Sequence, residues 1–377
     1  MPLPAPVGLP RLLPCLLLAA LPLAAQAHHP IGAKFNTTAT NTLEGIVSAV
    51  DWANPHVHVY VNVSGADGNV VNWALELPSR VELESSGWRP EALVPGARVS
   101  ASGWTALNGT HQLWAEALTD SKGAKLFTVA DDAMSKKLAG RPAAATPRWP
   151  DGLPRLGPPP GETGYWTLPS RSALIEDGQQ VAMDAYGVLA NLADAAKVAP
   201  LQDWALDLYR FRQSNTLRDD PMFLYCVPPA GPRQFQQLFG VQFVEQKERQ
   251  RIFLLVAGGN GNWRMIYTDQ RDQVGQISGT DDNPLFYGNN SAQWEGDTLV
   301  VESSGFNEGF WFSNGGLPHT KQLKLTERFT RTDKNTLHYQ VTVSDPGAYT
   351  RPWTSSWDLQ WLPGEELPEY YCQDNRP

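Results

Sequence analysis

Histidine is the residue type best placed for chemistry in this chain. His28, His29, His56, His58 and His111 make five of its seven histidines, and all lie in the first third of its 377 residues. His28 and His29 follow Ala25-Gln26-Ala27, a small-residue pattern closing an apolar run from Leu12 with Arg11 as the only charge before it. That layout predicts a secretory signal peptide over residues 1–27, cleaved after Ala27. His28 then carries the free amine, so one residue offers two nitrogens, the amine and the imidazole Nδ1. A second imidazole completes a T-shaped three-nitrogen set that suits Cu(II). His56 and His58 stand two apart in an alternating stretch. Both imidazoles therefore share one strand face, with Cα atoms roughly 7 Å apart, a reach over which both can hold one ion. The plain alternative is a solvated chain end, two exposed strand histidines and a turn histidine at position 111.

The expected N-terminal ligand set resembles the copper histidine brace of lytic polysaccharide monooxygenases and of some periplasmic copper carriers, in ligand type only. The three-residue amino-terminal copper motif is absent, because its third position is Pro30. A second set of candidates lies in the C-terminal half: Arg264, Arg271, His319, Glu327 and Arg328. Arg264 shares a strand face with Ile266, and a charge on such a face belongs in a pocket or at a barrel end. Glu327 and Arg328 point to opposite faces of their strand. His319 sits in a Gly/Pro loop, and a histidine with a carboxylate can serve acid/base chemistry. Arg264, His319 and Glu327 are the expected ligand-binding residues; a structural ion pair plus a loop histidine is the alternative. Removal of the leader leaves Cys226 and Cys372, which in an oxidising compartment predicts one disulfide.

The elements that must position these groups are mostly strands. Over 28–126, segments 42–52, 56–63, 70–77, 97–104 and 110–120 read as strands, with Asp67-Gly68 at a hairpin tip and a helical connection after the third. Three strands, a helical link and two strands predict a five-stranded barrel of the OB type. Residues 127–199 form a linker and mixed segment, of which 141–161, rich in Pro, Ala and Gly, reads as an extended linker. Residues 200–377 open with a helical stripe, Leu201, Trp204, Ala205 and Leu208, with Pro200 in its first turn. Strands follow at 250–258, 262–269, 297–306, 321–332, 336–345 and 353–362, predicting an antiparallel barrel of lipocalin type, or a sandwich, with the cup-shaped barrel supplying a pocket.

Two longer resemblances cover most of the mature chain. Ala27-His28-His29 with Trp52-Ala53-Asn54-Pro55-His56 and the stretch 83–104 resembles a family of uncharacterised exported bacterial proteins. CVPPAGPR (226–233), WRMIYTDQR (263–271), WEGDTLVVESSGFN (294–307), GLPHTKQLKLTERFTR (316–331), DPGAYTRPW (345–353) and EYYCQDN (369–375) resemble a second. Both imply export and neither implies an activity.

Composition narrows the function further. A formal charge of −9 without a basic run argues against nucleic acid as partner, and no stretch of the mature chain reaches spanning length. There is no nucleophile elbow, Walker loop or dinucleotide fingerprint. The 14 tryptophans suit either sheet cores or the stacking of sugars and aromatic ligands. The expectation is a periplasmic or secreted protein that binds a small molecule or a transition metal, copper first. Its rivals are a periplasmic enzyme built on copper or on Arg264, His319 and Glu327, and an envelope assembly protein.

Overall fold

The computed structural model describes residues 31–53, 56–65, 67–85, 88–128, 138, 141–167, 173–183, 187–236, 240–258, 262–269 and 284–367. His28, His29, Arg271 and Cys372 lie outside them.

Six strands form the N-terminal sheet: β1 (Phe35–Asp51), β2 (His58–Ser64), β3 (Val70–Glu76), β4 (Arg98–Ala106), β5 (Gln112–Asp120) and β6 (Lys125–Thr128). β1 is long enough to serve two neighbours. Its first part pairs with β4 and its last part with β2, and a bulge between Val47 and Ala49 bends it. β3 pairs parallel with β5, which closes the ring β1-β2-β3-β5-β4, the OB arrangement. The helix Arg80–Ser85 sits between β3 and β4. Alternation sets the core: Val57, Val59, Val61, Leu75, Leu113 and Leu118 all point inward and are buried. Gly45 is required where β1 bends, because a Cβ there would lie 2.5 Å from the Asn62 carbonyl oxygen.

The second body is a closed barrel, not a sandwich. Its nine strands are β7 (Gly164–Thr167), β8 (Val241–Gln246), β9 (Arg251–Val256), β10 (Asn262–Tyr267), β11 (Asn289–Glu295), β12 (Thr298–Ser304), β13 (Lys324–Arg331), β14 (Thr336–Ser344) and β15 (Trp353–Pro363). They neighbour one another in chain order, and β15 returns to β7. A ring of up-and-down strands with an odd count cannot alternate all the way round. One neighbouring pair must be parallel, and here it is β10–β11. That ladder has a single register pair, Tyr267↔Ser291, whereas β13–β14 runs over the full length of β13.

The barrel's interior is filled. On β13, Leu325, Glu327, Phe329 and Arg331 face inward, and on β14 Leu337, Tyr339, Val341 and Val343 do so. The short turn Gly231–Gln236 is buried throughout and sets Phe235 against Phe329 and Tyr339, with ring centroids 5.2 and 4.5 Å away. A side-chain core of this kind replaces the hollow cup expected from the strand pattern.

Two further expectations change. The helix runs Asp203–Asp219 and buries Ala205, Tyr209 and Gln213, while Trp204 is 46% exposed. Leu201 is held instead in a bridge to Tyr349, and Pro200 lies ahead of the helix, where its carbonyl accepts from Thr350. The Pro-rich stretch 141–161 is no free linker. It folds back across the barrel, buries Leu156 in its core, and leads into β7, so the barrel draws on chain well before residue 200.

Candidate functional site

The splayed seam is where the barrel wall offers a cleft. With only one register pair tying β10 to β11, a cleft opens between β10 and the segment 285–288. Leu285 fixes that segment by donating its N–H to the Gly305 carbonyl and accepting from the Asn307 N–H, both at 2.9 Å. The resulting cavity holds about 620 Å³, within the range of small-molecule sites. Its described lining is Asn262, Trp263, Met265, Tyr267 and Leu285 to Asn290. Arg264 and Ile266 point into the barrel, so Trp263, Met265 and Tyr267 between them face outward. The cleft is therefore on the outer wall. Trp263 is 53% exposed and stands edge-on to Phe253, with centroids 5.8 Å apart. Phe286 touches Tyr287 and Phe310. Burial pushes the Tyr287 hydroxyl well above the usual phenol range, so it stays protonated and can donate. Gly288, at φ +65°, lets the chain pass where a Cβ would lie 2.8 Å from Phe306 and from the Ser304 carbonyl.

Behind this wall lies the Arg264–Glu327 pair. Arg264 uses all five of its N–H donors. Nε donates to Asn290 Oδ1 at 2.8 Å, Nη1 to Gln234 and Glu327, and Nη2 to Ser303 and Glu327. Glu327 also accepts from the Tyr339 hydroxyl at 2.9 Å. Asn290 links network and cleft: its Oδ1 accepts from Arg264 and Ser303 while its Nδ2 donates to the Met265 and Gly288 carbonyls. A ligand would have to displace one of these partners to reach the guanidinium. The chemistry shown is bracing, with the charge behind the cleft floor.

His319 is not part of that network. Its Nε2 lies 3.0 Å from the Phe310 carbonyl and its Nδ1 3.3 Å from that of Thr320, with Phe310 and Phe312 packed on the ring. Burial is the main reason its pKa falls below the usual histidine value. Arg328 faces outward and pairs with Glu295.

In the OB body the structure adds a residue that sequence reasoning missed. Glu76, at the end of β3, is 2% exposed and sits beside both strand histidines. His56 Nδ1 is 3.7 Å from its Oε1, His58 Nε2 is 3.8 Å from its Oε2, and Lys34 Nζ reaches Oε2 at 2.8 Å. The register His58↔Glu76 between β2 and β3 makes this meeting, and no local motif announces it. His56 is buried rather than exposed: Nδ1 lies 3.1 Å from the Leu77 carbonyl and the ring packs edge-on against Trp114. His111 stands apart, against Trp73 at the other end of the β3–β5 ladder. Among the described residues no group of three or more His, Cys, Asp or Glu side chains is arranged to hold a metal ion. Cys226 is buried as the left-handed cap of the helix Pro221–Tyr225.

Residues 16–113 match DUF6152, a family of unknown function. The match takes in β1 to β4 and the start of β5, so it covers most of the OB ring. No curated protein and no solved structure matches the chain. Among the described residues no helix is long and apolar enough to cross a membrane.

Proposed function

We propose that this chain is an exported binding protein whose barrel takes a small ligand in the seam cleft. The observation that carries this reading is a cavity of about 620 Å³, walled by Trp263, Tyr267, Phe286 and Tyr287, at the parallel seam of the barrel. Filled barrel interiors leave a binding protein only its wall and ends, and the seam opens the wall. Thermal unfolding in the presence of a fractionated small-molecule extract tests it. A ligand at a hundred times its Kd stabilises the native state by about 2.7 kcal/mol. The shift is expected for the wild type and not for Met265→Trp, whose indole fills the cleft. Equal shifts in both would place the ligand elsewhere.

A second reading is favoured by the meeting of His56, His58 and Glu76. A carboxylate beside metal-binding histidines fixes their tautomers and ring orientation. His28 and His29 precede the buried Ile31 by two or three residues, and Ile31 shares a cluster with the Trp114 that packs on His56. The leash holds the expected N-terminal ligands within roughly 10 Å of Ile31. In this reading the mature N-terminus and the strand histidines bind one copper ion. Copper titration of protein beginning at His28, beside a form extended by one residue, decides it. Tight one-to-one binding lost on extension supports it; equal or negligible binding in both ends it. Export with Cys226 joined to Cys372 completes the proposal, and thiols that alkylate without prior reduction would count against it.

A further inference from the structure

We infer that the seam cleft selects an uncharged, ring-shaped ligand that stacks on Trp263; this rests on the cleft being the binding site. Its described lining has aromatic rings, aliphatic surface and side-chain amides, and no Asp, Glu, Lys, Arg or His. Among the described residues, the nearest cations do not line it. Arg264 is turned into the barrel and saturated by Asn290, Gln234, Ser303 and Glu327. Arg251 lies over the Tyr267 ring, 5.4 Å from its centroid. An ionic ligand entering here would lose water and meet no opposite charge in the described lining, which is costly. A neutral ring meets the reverse situation. The exposed indole of Trp263 presents a flat apolar face, propped from behind by Phe253. Tyr287 lines the cleft, and its hydroxyl, kept protonated by burial, can donate to a ligand there. Flat C–H or π faces stack on such an indole, and hydroxyl or carbonyl edges find hydrogen bonds around it. A neutral sugar and a neutral planar aromatic share this chemistry, and the experiment separates them.

The test is tryptophan fluorescence titration of the full mature protein with four paired probes. Maltotriose is set against trigalacturonate, and 2-naphthol against 2-naphthoate. The expected result is saturable binding of one neutral probe, at least tenfold weaker binding of its charged counterpart, and at least tenfold loss in Trp263→Ala. Whichever neutral probe binds names the source. Calorimetry serves as readout for Trp263→Ala, and Trp263→Phe, which keeps a ring, should recover part of the affinity. Equal or tighter binding of the charged counterpart, still lost in Trp263→Ala, would overturn the inference and leave the cleft reading standing. Absence of binding by both neutral probes would overturn the inference. Binding unchanged in both Trp263→Ala and Met265→Trp would overturn the inference and the cleft reading together.

Discussion

Single side chains decide how the barrel's interior behaves. Glu327 and Arg264 are both fully buried, and each is the other's charge partner. Removing one leaves the other uncompensated, which costs roughly 3–5 kcal/mol for a buried pair. Glu327→Gln should therefore lower the urea midpoint far more than Tyr339→Phe, which removes one hydrogen bond to the carboxylate at about 1–2 kcal/mol. His319 makes a different prediction. Burial lowers its native pKa below the unfolded value of about 6.5, so the unfolded chain binds the proton first. Its contribution is fully present above pH 6.5 and is lost as pH falls from there through the lowered native value. Urea unfolding between pH 7 and 5 should show a stability loss in the wild type that is smaller in His319→Gln. Alternation alone put Arg264 on the face of Ile266 and set Glu327 and Arg328 on opposite faces, without saying which of the two turned inward. It did not show that Arg264 would find all its partners inside, because Gln234, Asn290 and Ser303 arrive from three separate segments.

Among the elements, the Pro-rich strap over 141–161 shows most clearly what composition hides. Its backbone groups are collected by two side chains of opposite charge, one half-buried and one buried. Glu245 on β8 accepts from the N–H groups of Leu156 and Gly157 at 2.9 and 3.0 Å, and from Trp149 Nε1 at 3.1 Å. Arg331 on β13 donates to the carbonyls of Arg155 and Gly157 at 2.7 and 3.1 Å, with Trp166 and Trp361 stacked on its guanidinium. Burial is the main cause lowering the Arg331 pKa to about 10, still far above neutrality, so the clamp stays charged. Between them Leu156 enters the core, fully buried. Leu156→Ala should cost about 2–5 kcal/mol. It should also speed tryptic cleavage after Arg148 and Arg155, which a free linker would allow in the wild type already. Prolines and glycines argue against helix and strand, and here they do so correctly. They carry no information on whether an irregular segment is docked. The short strands were hidden for a related reason: β7 has four residues, and β11 reads as polar, NNSAQWE, because one of its faces meets the seam.

At the scale of the whole molecule, strand count matters more than strand composition. The OB ring was legible because its order follows from three strands, a helix and two strands, with valines marking the inner face. The barrel was legible as antiparallel strands, but its parity was not, since β7, β8 and β11 carry weak patterns. Parity is what creates the parallel seam, and so the cleft could not be foreseen from the residues that line it. The meeting of His56, His58 and Glu76 was hidden in the same way, by a register that only the closed ring fixes.

Strand connections also order assembly in time. β8 to β10, β11 with β12, and β13 with β14 can each zip through short links. Closing the ring requires β7 to meet β8 and β15 across the longest stretches of chain, and such closures come late because their loop entropy is lost before contacts reward it. Until then the sheet carries open edges, ready to pair with the wrong chain. The wall that brings Trp263 and Tyr287 around one cleft exists only once β10 has met β11. Ligand capture at the seam is therefore a report on maturation: a chain whose β10 and β11 have not yet met has nothing to bind with.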